Sequence, residues 1–184
     1  MRGMRPTGII LAIIALALAG GAAGQPQQQP TSALKGHNAD APVDVTADRI
    51  EVQDRSDRAM FVGNVHVRQA NMTLDTERLT IAYSGGPGSG DGVQIRRLDA
   101  AGGVTVTSPS ERASGDFGIY DLDRKLITLI GNVRLTRQNN IVSGARLVID
   151  LDSGRAVIDG GPPGVNQSGG RVTGHFTVPQ RKRN

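Results

Sequence analysis

The chain has 184 residues, 21 of them basic and 17 acidic, with no cysteine, so it suits one domain whose core and backbone pairing hold without disulfides. Removing Arg2, Arg5, Lys35, Asp40 and the tail Arg181-Lys182-Arg183 leaves 15 basic and 16 acidic residues, a net charge of −1, which argues against a basic nucleic-acid-binding face. Phe61, Tyr83, Phe117, Tyr120 and Phe176 are the whole aromatic set, too few for platforms that stack single strands or sugar rings.

Residues 1–24 read as a signal peptide. Arg2 and Arg5 precede an apolar run from Gly8 to Leu18, and Ala17, Ala19, Ala22 and Ala23 offer small-residue cleavage sites. This run falls short of the roughly 20 residues that a membrane-crossing helix needs. Cleavage would release a soluble protein into the periplasm; retention as an anchor is the alternative. Residues 25–41, rich in Gln, Pro and small polar types, are predicted to be a flexible linker.

From Pro42 the pattern has period two and repeats. Gly63-Asn64-Val65 returns as Gly131-Asn132-Val133, with Gly102-Gly103-Val104 between them. Gly102 to Gly131 is 29 residues, and 29 more reaches Gly160; the step from Gly63 to Gly102 is 39, and the Gly/Ser/Pro segment 84–92 holds the excess. Periods in this range mean one supersecondary unit used several times. At offsets −4, −2, +2 and +4 from each glycine stand Ala59, Phe61, Val65 and Val67, then Leu98, Ala100, Val104 and Val106, then Ile127, Leu129, Val133 and Leu135. All are apolar, and equal parity puts them on one strand face. A second strand type precedes each copy, marked by Ile50/Val52, Leu79/Ile81, Gly118/Tyr120 and Leu147/Ile149. Turns are predicted at Asp54 to Asp57, Asp121 to Arg124 and Asp152 to Gly154. The chain reads as all-β, eight or more short strand pairs in sequence, with no long helical pattern.

The search for chemistry is negative. His37, His66 and His175 form no cluster with metal-ligand spacing, and no catalytic, cofactor or metal residue is expected. Asp121, Asp123, Asp150 and Asp152 flank predicted turns and read as turn residues, not calcium ligands. The Gly-rich stretch 85–92 lacks the Lys-Ser/Thr of a phosphate-cradling loop. Glycine followed by asparagine suits a β-bulge, since both residues tolerate unusual backbone angles. The repeated aliphatic face is either a filled core or a trough that admits hydrocarbon, and period-two patterning does not distinguish them.

Several segments resemble the LptA/OstA-like proteins, the periplasmic bridge of lipopolysaccharide export. They are Pro42 to Asp48, Phe61-Val62-Gly63-Asn64-Val65, Leu129-Ile130-Gly131-Asn132-Val133, Gly144-Ala145-Arg146-Leu147, Arg171-Val172-Thr173 and Val178-Pro179. The resemblance covers about residues 42–180; Gly103 stands where the pattern has Asn. It implies a twisted, incompletely closed antiparallel β-jelly roll without enzymatic activity. It further implies that lipid A acyl chains ride in an apolar groove lined by Phe61, Val65, Val67, Leu98, Val104, Val106, Ile127, Leu129, Val133 and Leu135. Val43 and Val45 would mark an N-terminal docking edge facing an inner-membrane export adaptor. Val172, Phe176 and Val178 would mark a C-terminal edge facing an outer-membrane translocon, with head-to-tail self-association between copies. The related membrane-anchored adaptor of the pathway, and a structural β scaffold, are the alternatives. Residues 181–184 would be a basic tail.

Overall fold

The computed structural model describes residue 34 and residues 37–53, 56–85, 92–161 and 170–177. The predicted signal segment 1–24, most of the predicted linker, Val178 and the basic tail 181–184 lie outside the described residues. The described chain is almost entirely antiparallel sheet. Its strands are β1 (Val43–Thr46), β2 (Arg49–Gln53), β3 (Arg58–Gln69), β4 (Met72–Ser84), β5 (Gln94–Thr107), β6 (Glu111–Asp121), β7 (Leu126–Arg137), β8 (Asn140–Asp150), β9 (Arg155–Asp159) and β10 (Thr173–His175). They pair in the order β1-β3-β4-β5-β6-β7-β8-β10, with β2 also on β3 and β9 also on β8.

The short strand pairs expected from sequence are instead long strands bent in the middle: β3 to β8 run 11 to 14 residues each. The repeated glycines make the bends. Gly63-Asn64 face the single residue Glu77, Gly102-Gly103 face Asp116, and Gly131-Asn132 face Ala145, so two residues oppose one in each bulge. Both members lie in the left-handed region: φ is 83° and 45° at Gly63 and Asn64, and 78° and 46° at Gly131 and Asn132. Glycine enters that region without a Cβ penalty and asparagine at low cost, which explains the recurring dipeptide. A side chain at Gly63 or Gly131 would also fall on the carboxylate of Asp48 or Asp116.

The predicted fourth copy at Gly160 is displaced by one residue. Gly161 carries the matching φ of 83° beside Ala145, and the chain leaves the sheet there after β9, while Gly160 packs against Gly170.

The row of bulges divides the sheet into two half-sheets. One comprises β1, β10 and the segments 65–69, 72–76, 104–107, 111–115, 133–137 and 140–144; the other comprises β2, β9 and the complementary parts of β3 to β8. They face each other across one apolar interior. A Cβ added at Gly118 in the second half-sheet would lie 3.0 Å from Val104 Cγ1 in the first. The bulge row is the spine of a twisted β-jelly roll, and the strand tips opposite it form a seam that is not closed into a barrel.

Composition placed Leu34 and residues 37–41 in a flexible linker, but they pack into the fold. Leu34, His37 and Ala39 are buried, because Leu34 joins the apolar core and the polar groups of this segment meet a buried glutamine described below.

Candidate functional site

The interior is lined by cross-strand rows that the alternation of side chains brings to one face. Of the ten predicted groove residues, Val65, Val67, Leu98, Val104, Val106, Ile127, Leu129 and Val133 are buried in one core cluster, while Phe61 and Leu135 are half-buried against it. Leu79, Ile81, Tyr120, Leu147 and Ile149, from the second strand type, belong to the same cluster. Tight packing of aliphatic side chains over this stretch makes it a filled core, each buried Leu or Ile contributing about 1.5–3 kcal/mol.

At the end of the seam nearest β1, a polar clasp joins the two lips. Gln69 closes β3 at the tip of one half-sheet and is 1% exposed; Tyr120 lies next to the end of β6 in the other and is 2% exposed. Tyr120 Oη donates to Gln69 Oε1 at 2.9 Å. The same oxygen lies 3.1 Å from His37 Nε2, and Gln69 Nε2 donates to the carbonyls of Ala39 at 2.8 Å and Ala41 at 3.0 Å. Every polar atom of the glutamine side chain is thereby satisfied, the condition for burying it among aliphatic groups. Burial, followed by the nearby Asp40 charge, pushes the Tyr120 phenol up to about 12, partly offset by the Gln69 hydrogen bond.

At the opposite end, between β9 and the tips of β7 and β8, a cavity of about 400 Å³ opens. Leu135, Val142, Ala156, Ile158, Val172 and Phe176 give it an apolar lining, and Glu111, Arg137 and Asn140 also border it. Leu135 alone of the ten predicted groove residues lines this cavity. Arg137 Nη2 and Glu111 Oε2, 3.4 Å apart, face each other across paired strands. Thr177 N donates to Asn140 Oδ1 at 2.9 Å and holds the segment that follows β10, with Phe176, against the rim.

Both ends of the sheet present edges. Among the described residues, β1 and β2 pair with β3 alone, and β9 and β10 with β8 alone. Val43 and Val45 lie on β1 and pack partly against the core; Val172 and Phe176 flank β10, 44% and 65% exposed. Sequence reasoning passed over Ile50 and Val52 as edge residues, yet both are 56% exposed on β2. It also missed Gln69, Tyr120 and His37 as a unit. One signal was available: Gln69 occupies the inward parity of Val65 and Val67, where a polar residue needs a buried partner.

The polar residues weighed as sites have structural roles. Asp121 Oδ1 accepts from Arg124 N at 2.9 Å, and Asp150 Oδ1 accepts from Asp152 N and Ser153 N at 3.0 and 2.9 Å. Those backbone donors, Ser153 first, hold the Asp150 carboxyl below its ordinary value. His66 Nδ1 lies 2.6 Å from Asp75 Oδ1 on the outer face.

A family model described as LptA/(LptD N-terminal domain) LPS transport protein matches residues 44–155, from β1 to the start of β9. The chain belongs to this family. Its role is therefore in lipopolysaccharide transport. An uncharacterised protein of Rhizobium meliloti strain 1021 is 32% identical over 148 residues, covering 79% of this chain and 76% of that protein. The LPS-assembly protein LptD of Yersinia enterocolitica is 32% identical over 84 residues, 46% of this chain but 10% of that protein. Among solved structures, LptH of Pseudomonas aeruginosa, an LptA homologue, superposes with a TM-score of 0.66 at 17% identity, over 77% of this chain and 99% of that one. That match places the spine, seam and bent strands within the LptA-like jelly-roll fold.

Proposed function

We propose that the protein is a non-enzymatic carrier that shields lipid A acyl chains of lipopolysaccharide in the interior between its half-sheets. It works in the periplasm after its N-terminal signal segment is removed, bridging an inner-membrane export adaptor at the β1/β2 edge to an outer-membrane translocon at the β9/β10 edge. Copies associate head to tail through the same edges, because an unpaired strand accepts another strand by backbone bonding. The observation that carries this reading is the apolar cavity of about 400 Å³ at the seam, bordered by exposed Val172 and Phe176 beside a free sheet edge. Each acyl CH₂ buried there contributes about 0.8 kcal/mol. Longer chains need the half-sheets to part along the seam, so that Val65 to Leu135 become the lining.

Photo-crosslinkers at Leu135 and Leu129 capture lipopolysaccharide on this reading, whereas one at outward-facing His66 does not. Equal labelling of all three positions removes the interior as the binding site. The N-terminus of the exported protein, read by mass spectrometry, separates a cleaved carrier from an anchored adaptor.

A further inference from the structure

The edge segment around β10 alternates in chemistry from one residue to the next. Val172 and Phe176 border the apolar cavity, whereas Arg171 and Thr173 border a separate notch of about 170 Å³. Backbone pairing builds that notch. Arg134 on β7 stands opposite Ser143 on β8, and Ser143 stands opposite Thr173 on β10, so the three side chains form one row on the outer face. Val133, the neighbour of Arg134, is buried in the core, which fixes the outward direction of the row. Asn132, in the bulge beside this row, also borders the notch. Two guanidiniums and two hydroxyls are thereby brought to one small polar space, with no carboxylate among the described residues that line it. The adjoining acid, Asp116, is engaged instead by Asn132 Nδ2 at 2.9 Å and lies over Gly131. Among the described residues neither Arg134 nor Arg171 is in an ion pair.

We propose that this notch binds a phosphate group. Such a group carries about two negative charges at neutral pH and several strong acceptor oxygens. Arg134 and Arg171 supply the countercharge through forked N–H donors, and Ser143 and Thr173 add O–H donors, more than the two oxygens of a carboxylate take up. Two sources offer this chemistry: the headgroup of a phosphorylated amphiphile and free phosphate. The headgroup suits the position of the notch. Only the β10 edge segment separates it from the apolar cavity, and among the described residues β10 pairs with β8 alone, so its other edge is open. A lipid whose chain lies in the cavity passes round that edge and sets its phosphate on the outer face, in water. That link rests on the carrier reading above; the phosphate site itself stands on the two arginines and the paired hydroxyl residues.

The test uses protein purified from cells exporting the whole chain, with inorganic phosphate, phosphorylated lipid A and the same lipid A stripped of phosphate as probes. Arg134→Gln with Arg171→Gln removes both charges from exposed positions, and Ser143→Ala with Thr173→Val removes the hydroxyls at constant charge. Arg112→Gln, exposed on the same face but outside the notch, controls for bulk charge. The unaltered protein should bind phosphorylated lipid A about tenfold more tightly than the stripped lipid, as a charge-assisted contact provides. The double arginine variant should lose that preference at an unchanged melting temperature, the hydroxyl variant should lose part of it, and Arg112→Gln none. Inorganic phosphate should shift the Nε–H signals of Arg134 and Arg171. Those shifts with equal affinity for the two lipids uphold the site and overturn its link to the headgroup. The shifts without binding of either lipid overturn the carrier reading and uphold the site. Equal lipid affinities without the shifts, or an equal loss in Arg112→Gln, overturn the site.

Discussion

Asn132 donates from Nδ2 to Asp116 Oδ2 at 2.9 Å, and Asn64 makes the same bond to Asp48 Oδ2 at 2.9 Å, each to a residue 16 positions earlier. Asp48 lies between β1 and β2 and Asp116 in the middle of β6, and each carboxylate lies over the bulge glycine. At the middle copy the position after Gly102 is Gly103, which has no side chain to donate, and the Glu77 side chain covers Gly102 instead. The repeat in the sequence is thus a repeated pinning of the spine.

Gly131→Ala should destabilise the protein more than Gly103→Ala. Both have positive φ, 78° and 81°, costing about 1–2 kcal/mol for a residue with a Cβ. Only at Gly131 does that Cβ meet a carboxylate, adding about 1–3 kcal/mol of overpacking, whereas nothing lies near it at Gly103. Urea unfolding measures both, and equal losses would rule out the pinning contact.

Leu129 has no exposed surface, so Leu129→Ala should cost about 2–5 kcal/mol through lost burial and a residual cavity. The change is read from the urea midpoint at constant slope. A loss below half a kcal/mol would mean that the interior is loosely filled.

The Tyr120 phenol titrates at about 12 in the folded protein, against an ordinary value near 10. A folded value above the unfolded one means that the native state keeps the proton longer. The stability this contributes is complete below about pH 10 and declines as pH rises through about 12. Tyr120→Phe should be less stable than the unaltered protein at neutral pH, having lost the bond to Gln69, and should show a flatter decline above pH 10. Parallel alkaline profiles for the two proteins would mean that Tyr120 titrates as it does when unfolded.

Ala156 borders the cavity on a strand whose residue 156 is exposed, so Ala156→Phe fills the cavity without disturbing the core. Affinity for a fatty-acid probe should fall about tenfold, the loss of roughly two CH₂ contacts, with little change in melting temperature. Unaltered affinity places the bound chain elsewhere.

Ile50→Lys with Val52→Lys puts charge on the exposed β2 edge, a device that blunts strand-to-strand association. Sedimentation should show shorter assemblies for the double variant than for the unaltered protein. Identical distributions would assign assembly to β1 or to another surface.

Much of the fold was legible because its determinants are local. Alternation assigned Val65, Leu98 and Leu129 to the interior, and the dipeptides at 63–64 and 131–132 located the bends. Strand length was misread: a bulge punctuates the apolar pattern as a turn does, so each bent strand looked like two short ones. The composition of residues 25–41 suggested a linker, since nothing local shows that Gln69, some thirty positions later, needs the carbonyls of Ala39 and Ala41.

By itself the sequence determined the period, the buried face and the positions where the backbone turns left-handed, because side-chain parity and the Cβ penalty act within a few residues. Tertiary structure decided where the interior is solid and where it opens. The Tyr120–Gln69 bond joins residues 51 apart, and the cavity depends on how β7, β8, β9 and the segment around β10 converge. Closing a seam requires groups from opposite half-sheets to meet, and their separation is set by the twist of the whole sheet, which no single strand encodes.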